Sequence, residues 1–258
     1  MNRKIIRILT TNSLLLFVFI FTKCSPIPVY RLQPVDNHHF KRWIRGHQVL
    51  RIDGHKYGAA LAFDKQVNNL LVYDLQVINK SDSMISVIPD SIYSVTYTHF
   101  YKDSLGHELS MFRHELVYAH NPEKELIRVD KQKHKEDADM ATDQFLNATS
   151  SLLDVAYDVS SAINPPPPRQ RREHERSEIE NNTYMTKREA QHANIVRSLS
   201  ARHFQWSTEA LRRTDLTPNE TIRGLIFITA DPFAKFLKFH LNIAGEDHVI
   251  YFLQKKYK

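Results

Sequence analysis

Four consecutive prolines, Pro165, Pro166, Pro167 and Pro168, follow Asn164 in the middle of the chain. They decide more about the fold than any other stretch. Proline lacks the amide proton a helix needs, and successive prolines prefer extended polyproline geometry, so no helix can run through them. Apolar residues recur at helical spacing on both sides, which makes residues 121–213 two helical runs folded back on each other as a hairpin. The sequence before and after that hairpin alternates like strands. The hairpin therefore reads as an insertion into a β domain.

The first helical run opens with Asn121-Pro122-Glu123, an N-cap followed by proline at the first helical position and an acid in the first turn. Its apolar stripe is Leu126, Val129, Ala138, Ala141, Phe145, Ala148, Leu152, Ala156, Val159 and Ile163. As one helix it would extend on the order of 60 Å at 1.5 Å per residue. Residues 169–180 are almost entirely charged, so that stretch is either a solvated helix or a loop. The helical pattern resumes at Lys187 and continues through Ala190, Ala193, Val196, Leu199 and His203 to Trp206. The two stripes are expected to bury against each other or against a sheet, which gives Phe145, Leu152, Ala156 and Val159 a core role.

Strand signals occupy residues 48–52, 57–63, 70–78, 85–88, 92–100 and, less regularly, 109–118. After the hairpin, residues 222–230, 236–243 and 249–253 read as three more, with a turn at Thr217-Pro218-Asn219-Glu220. Neither strand set closes a sandwich alone. Residues 43–120 and 210–254 are therefore expected to form one split domain. The fold class is α+β, mainly β: an immunoglobulin-like antiparallel β-sandwich interrupted by a two-helix hairpin over residues 121–209.

The N-terminus supplies an address. Arg3, Lys4 and Arg7 precede an unbroken apolar run at residues 14–21, too short for a comfortable membrane span and typical of an export signal. The only cysteine, Cys24, follows directly. A cysteine there resembles the acylated first residue of a mature bacterial lipoprotein, although Lys23 stands where a small residue normally precedes it. The alternative is an incidental thiol near the end of a signal peptide or membrane anchor. Residues 1–23 are then the signal segment, and the proline-bearing residues 24–42 a tether to the folded domain.

One longer resemblance joins these features. The start Asn121-Pro122-Glu123-Lys124, together with Ala210-Leu211-Arg212-Arg213-Thr214-Asp215-Leu216-Thr217-Pro218-Asn219-Glu220-Thr221-Ile222-Arg223-Gly224, resembles cell-envelope lipoproteins of Bacteroidetes with no established activity. The resemblance implies that residues 214–224 form strand, turn and strand within an immunoglobulin-like fold. Asn219 stands where the family usually has glycine, and asparagine tolerates a left-handed turn. A Bacteroidetes setting also makes Ser83, Ser91 and Ser104, each after an aspartate and before an apolar residue, candidate O-glycosylation sites. Ordinary turn serines are the competing reading.

Catalytic chemistry leaves little trace. The 14 histidines are scattered, with no His-Glu-x-x-His, and the densest group is His107, Glu108, His114, Glu115 and His120. Neighbours on a strand point to opposite faces, so His114 and Glu115 would not share a site. There is no Gly-x-Ser-x-Gly elbow, and six glycines leave no phosphate-cradling loop. Arg169, Arg171, Arg172 and Arg176 alternate with Glu173, Glu175 and Glu178, a self-pairing charge run. Neither cofactor, metal nor nucleic acid is expected.

The expectation is an exported, lipid-anchored protein of the bacterial cell envelope, held to the membrane and working by binding or scaffolding envelope proteins or glycans. Two rivals have distinct signatures. A glycan-cleaving enzyme needs a cleft with two convergent carboxylates, and a subunit of an envelope assembly needs an exposed apolar patch on the hairpin. On the address, Cys24→Ala should move the protein out of the membrane fraction, and metabolic labelling with a fatty acid should mark the wild type alone. An unlabelled wild type would remove the lipid anchor.

Overall fold

The computed structural model describes residues 28–35, 40–102 and 108–257. Cys24, Lys23 and the signal segment, together with Ser104 and His107, lie outside them. In chain order the elements are β1 (Val29–Pro34), β2 (Phe40–Ile44), β3 (His47–Asp53), β4 (Tyr57–Val67), β5 (Leu70–Asn79), β6 (Ile85–Val87), a 3-10 turn (Pro89–Ser91), β7 (Tyr93–Lys102) and β8 (Glu108–Tyr118). The helices α1 (Pro122–Ile163) and α2 (Pro168–Phe204) follow. A π-helical turn (Gln205–Glu209), β9 (Thr214–Leu216), β10 (Thr221–Thr229), β11 (Phe236–Ile243) and β12 (Glu246–Tyr257) complete the chain.

Two five-stranded sheets, ordered β1-β12-β11-β7-β8 and β10-β5-β4-β3-β2, pack face to face, and every pairing is antiparallel. The fold is the expected α+β arrangement, an antiparallel sandwich interrupted by two long helices. Strands on both sides of the hairpin share one core: Leu61, Tyr73 and Leu75 from before it pack with Ile226, Phe239 and Phe252 from after it. β10 lies along β5 over nine residue pairs, Thr221 opposite Ile78 through Thr229 opposite Leu70. Neither segment holds a complete sheet pair without the other.

Tight hairpins fix the register. The turn between β11 and β12 places Ala244 at φ 54° and Gly245 at φ 79°, the left-handed pair that matches strand twist. Asn219, at φ 66°, takes the left-handed position expected of it. Gly224 has a different reason: a Cβ there would lie 2.7 Å from the backbone of Leu211, whose segment closes over the edge of β10.

One expectation needs correction. Residues 29–34, read as part of the tether over 24–42, form β1 and pair with β12 from Val29 opposite Tyr257 to Pro34 opposite Phe252. Tyr30, Leu32 and Pro34 point inward while Val29, Arg31 and Gln33 point out. Pro34 is tolerated because an edge strand needs only one ladder. The Gln66 side chain also accepts from the Tyr30 amide and donates to the Pro28 carbonyl, which ties this strand to the opposite sheet. The folded body therefore includes β1 and β2. For residues 169–180 the sequence left a solvated helix and a loop as alternatives. They are helical, supported by Arg169–Glu173, Arg171–Glu175 and Arg176–Glu180 pairs at i, i+4.

Replacing residues 134–195 with a short Gly/Ser connection should leave the sandwich folded, because the two helices lie only about 10 Å apart at the cut. Circular dichroism should lose helical signal and keep the sheet signal. Trp206→Ala in the full chain, by contrast, should cost about 3–5 kcal/mol in denaturant unfolding. Loss of the sheet signal on excision would show that the distal helices belong to the core.

Candidate interaction surface

The hairpin begins in a dense polar junction. The Asn121 side-chain oxygen accepts from the amides of Glu123 (3.0 Å) and Lys124 (3.2 Å), while its amide donates to Asp90 (3.0 Å). One residue thus caps α1 and ties its first turn to the loop before β7. Arg212 grips Glu123 with two bonds of 2.6 and 2.8 Å, which joins the start of the hairpin to the chain leaving it. His120 bridges the two bodies, Nδ1 at 3.1 Å from Glu125 and Nε2 at 2.9 Å from the Thr229 hydroxyl. Beneath this junction Val129, Leu199, Trp206 and Ala210 pack on Val72 and Phe227, from the outer face of the sheet, with the Trp206 and Phe227 rings 4.4 Å apart. Burial of such side chains contributes about 1.5–3 kcal/mol each.

Beyond that root the contact between α1 and α2 is polar. Arg188 donates to Glu136 and to Asp143, both at 2.7 Å, with its side chain 15% exposed. The Glu136 bond and then the Asp143 bond raise the guanidinium pKa above its ordinary value. His192 lies 3.1 Å from Asp137, and the Asn181 amide donates to Asn147 at 2.7 Å. Near the tip, the His174 and Tyr157 ring centroids are 3.9 Å apart and His174 approaches Asp154 at 3.7 Å. Met140 and Met185 are the buried apolar side chains of this distal stretch.

The apolar stripe that was expected to be core faces the other way. Phe145 is 70% exposed, Leu152 72% and Val159 59%, and Ala138, Ala141, Ala148 and Ala156 are exposed too. Of the stripe, only Val129 is buried, and Leu126 partly so; both belong to the root. The reason is competition for one interface. Side chains at 136, 140, 143, 147, 150, 154 and 157 also recur at a 3-4 spacing, and they meet complementary partners on α2. Once that polar row faces α2, the stripe containing Phe145 and Leu152 must lie on the far side of α1. Leu146, Leu153, Val155 and Ile163 widen it. Among the described residues nothing covers this strip.

The residues singled out for chemistry are dispersed. Ser83 is exposed in the loop before β6, its carbonyl accepting from Asn79 and Ser81. Ser91 is half-buried, its hydroxyl within hydrogen-bond distance of the carbonyls of Ile88 (2.7 Å) and Asn242 (2.9 Å), which share its one proton. Of the histidine group, Glu115 is exposed on β8 and His120 serves the hairpin junction. Among the described residues no three His, Cys, Asp or Glu side chains gather as a metal site, and no helix is long and apolar enough to cross a membrane. Among the described residues, a cleft of about 470 Å³ between β1 and the β2–β4 edge is lined by one carboxylate, Asp64. Two acids, Asp137 and Glu189, line a shallow groove of about 290 Å³ on the hairpin, where His192 already holds Asp137. None of the known protein families, curated proteins or solved structures compared with this chain matches it.

Arg188→Met should leave Glu136 and Asp143 facing each other without a cation. Amide exchange in the distal halves of α1 and α2 should quicken while that of the sheet strands stays unchanged. Distal-helix exchange in Arg188→Met as slow as in the wild type would show that the polar seam does not hold the helices together.

Proposed function

We propose that this protein is a lipid-anchored scaffold of the bacterial cell envelope that engages a partner protein along the outer face of its hairpin. The observation that carries this reading is the inversion of α1, with charged and amide side chains facing α2 and Phe145, Leu152 and Val159 facing solvent. A helix covers its apolar stripe when a surface is available to cover it. Here the described chain offers none. The root keeps the arm in a fixed relation to the sandwich, so a partner on the stripe would be held at a defined place relative to the body. The lipid anchor at Cys24 and the Bacteroidetes envelope setting belong to this proposal and rest on the N-terminal pattern and the sequence resemblance.

Photo-crosslinking in the native envelope tests the proposal. A benzophenone side chain placed at 145 or 152 should yield protein adducts, and one at 172 on α2 should yield few. Equal yields at all three positions would overturn the hairpin as the docking face.

A further inference from the structure

We infer that the partner on this face is a second copy of the same chain, the two α1 helices packing antiparallel about a two-fold axis near Ser150. The inference rests on the scaffold reading of the hairpin and names its occupant. Ala141, Phe145, Ala148, Leu152, Val155 and Val159 are spaced 4, 3, 4, 3 and 4 residues apart, the repeat of a coiled-coil seam. A two-fold contact requires the strip to complement itself, so that each residue meets its counterpart on the other side of the axis. This strip does so. With the helices antiparallel, Ala148 falls against Leu152, Ala141 against Val159 and Phe145 against Val155. Two layers of three thus set a small side chain against a larger one, as interdigitated packing needs.

The flanking charges permit this register. In it Asp158 lies beside Gln144 of the second copy, while Ser151 and Thr149 each lie beside their own equivalents, so no carboxylate meets another. Asp143, Asp137 and Asp154 are turned toward α2, where Arg188, His192 and His174 already hold them. The same charges argue against a lipid occupant. From residue 136 to residue 163 the helix carries acids and neither lysine nor arginine, and an anionic membrane surface would repel it. The six-residue core of the seam is roughly 27 Å long at 1.5 Å per residue. With Leu153, Ala156 and Ile163 beside it, such a seam buries on the order of 1,000–1,200 Å² in total, at the lower bound of specific interfaces. The antiparallel arrangement also sends the two sandwiches to opposite ends, since each is rooted near the start of α1.

Cysteine cross-linking of the purified full chain carrying Cys24→Ser tests this, because every engineered thiol is then the only one present. Ser151→Cys should form a disulfide-linked dimer by itself. Ala141→Cys should not, but should cross-link when mixed with Val159→Cys. Light scattering should give about twice the 30.2 kDa chain mass, and Leu152→Gln with Val159→Gln should weaken association about 100-fold or more while far-UV circular dichroism reports that the chain stays folded. Self-linking of Ala141→Cys would overturn the antiparallel register. A monomer that forms no disulfide at 151 would overturn self-association altogether. Envelope photo-adducts at 145 and 152 of a mass other than a dimer's would then leave the scaffold reading standing, and their absence would remove both.

Discussion

The packing of Val129, Leu199, Trp206 and Ala210 on Val72 and Phe227 joins two bodies whose stabilities have different origins. The sandwich is held by an ordinary apolar core filled from both sheets, whereas the seam of the distal hairpin is lined mainly by ion pairs and amide contacts. Without the root cluster the arm would be a pair of long polar-faced helices on two flexible links. With it, the first turns of α1 and the last turns of α2 are nucleated on a folded surface, and nucleation is the costly step in helix formation. The capping of α1 by Asn121 and the Arg212–Glu123 clasp close the same junction from its polar side.

The polar seam has an energetic consequence for the arm. Partly exposed ion pairs contribute little net stability, since desolvation offsets most of their attraction. Their value lies in choice of face: Arg188 between Glu136 and Asp143 matches only one rotation of α1 against α2. That rotation leaves the apolar stripe outside. The polar seam is thus made at the expense of intramolecular burial of Phe145 and Leu152, which stay in solvent.

Much of the architecture was legible. The proline run marked the hairpin, alternation marked most strands, and Asn219 took the left-handed turn expected of it as a stand-in for glycine. What escaped the reading depended on contacts that the local pattern does not contain. β1 was hidden because Pro26, Pro28 and Pro34 speak for a linker, while its membership in the sheet comes from β12 more than 200 residues later. The direction of α1 was hidden because two rows on the helix share one repeat, and apolar periodicity alone favours the wrong one. Only the positions of Arg188, Asn181 and His174 on the neighbouring helix settle which row faces inward. His120 gave no signal beyond its neighbours, since its partners Glu125 and Thr229 meet it only in the folded chain.

The early start of β1 changes what an N-terminal lipid could do. Cys24 and Val29 are five residues apart, a distance no extended chain can stretch beyond about 18 Å. An acyl group at Cys24 would then hold the start of β1 within that distance of the bilayer. Such a short leash converts orientation into position. The height of the tip of the arm above the membrane would then be set by the tilt of the sandwich on its leash.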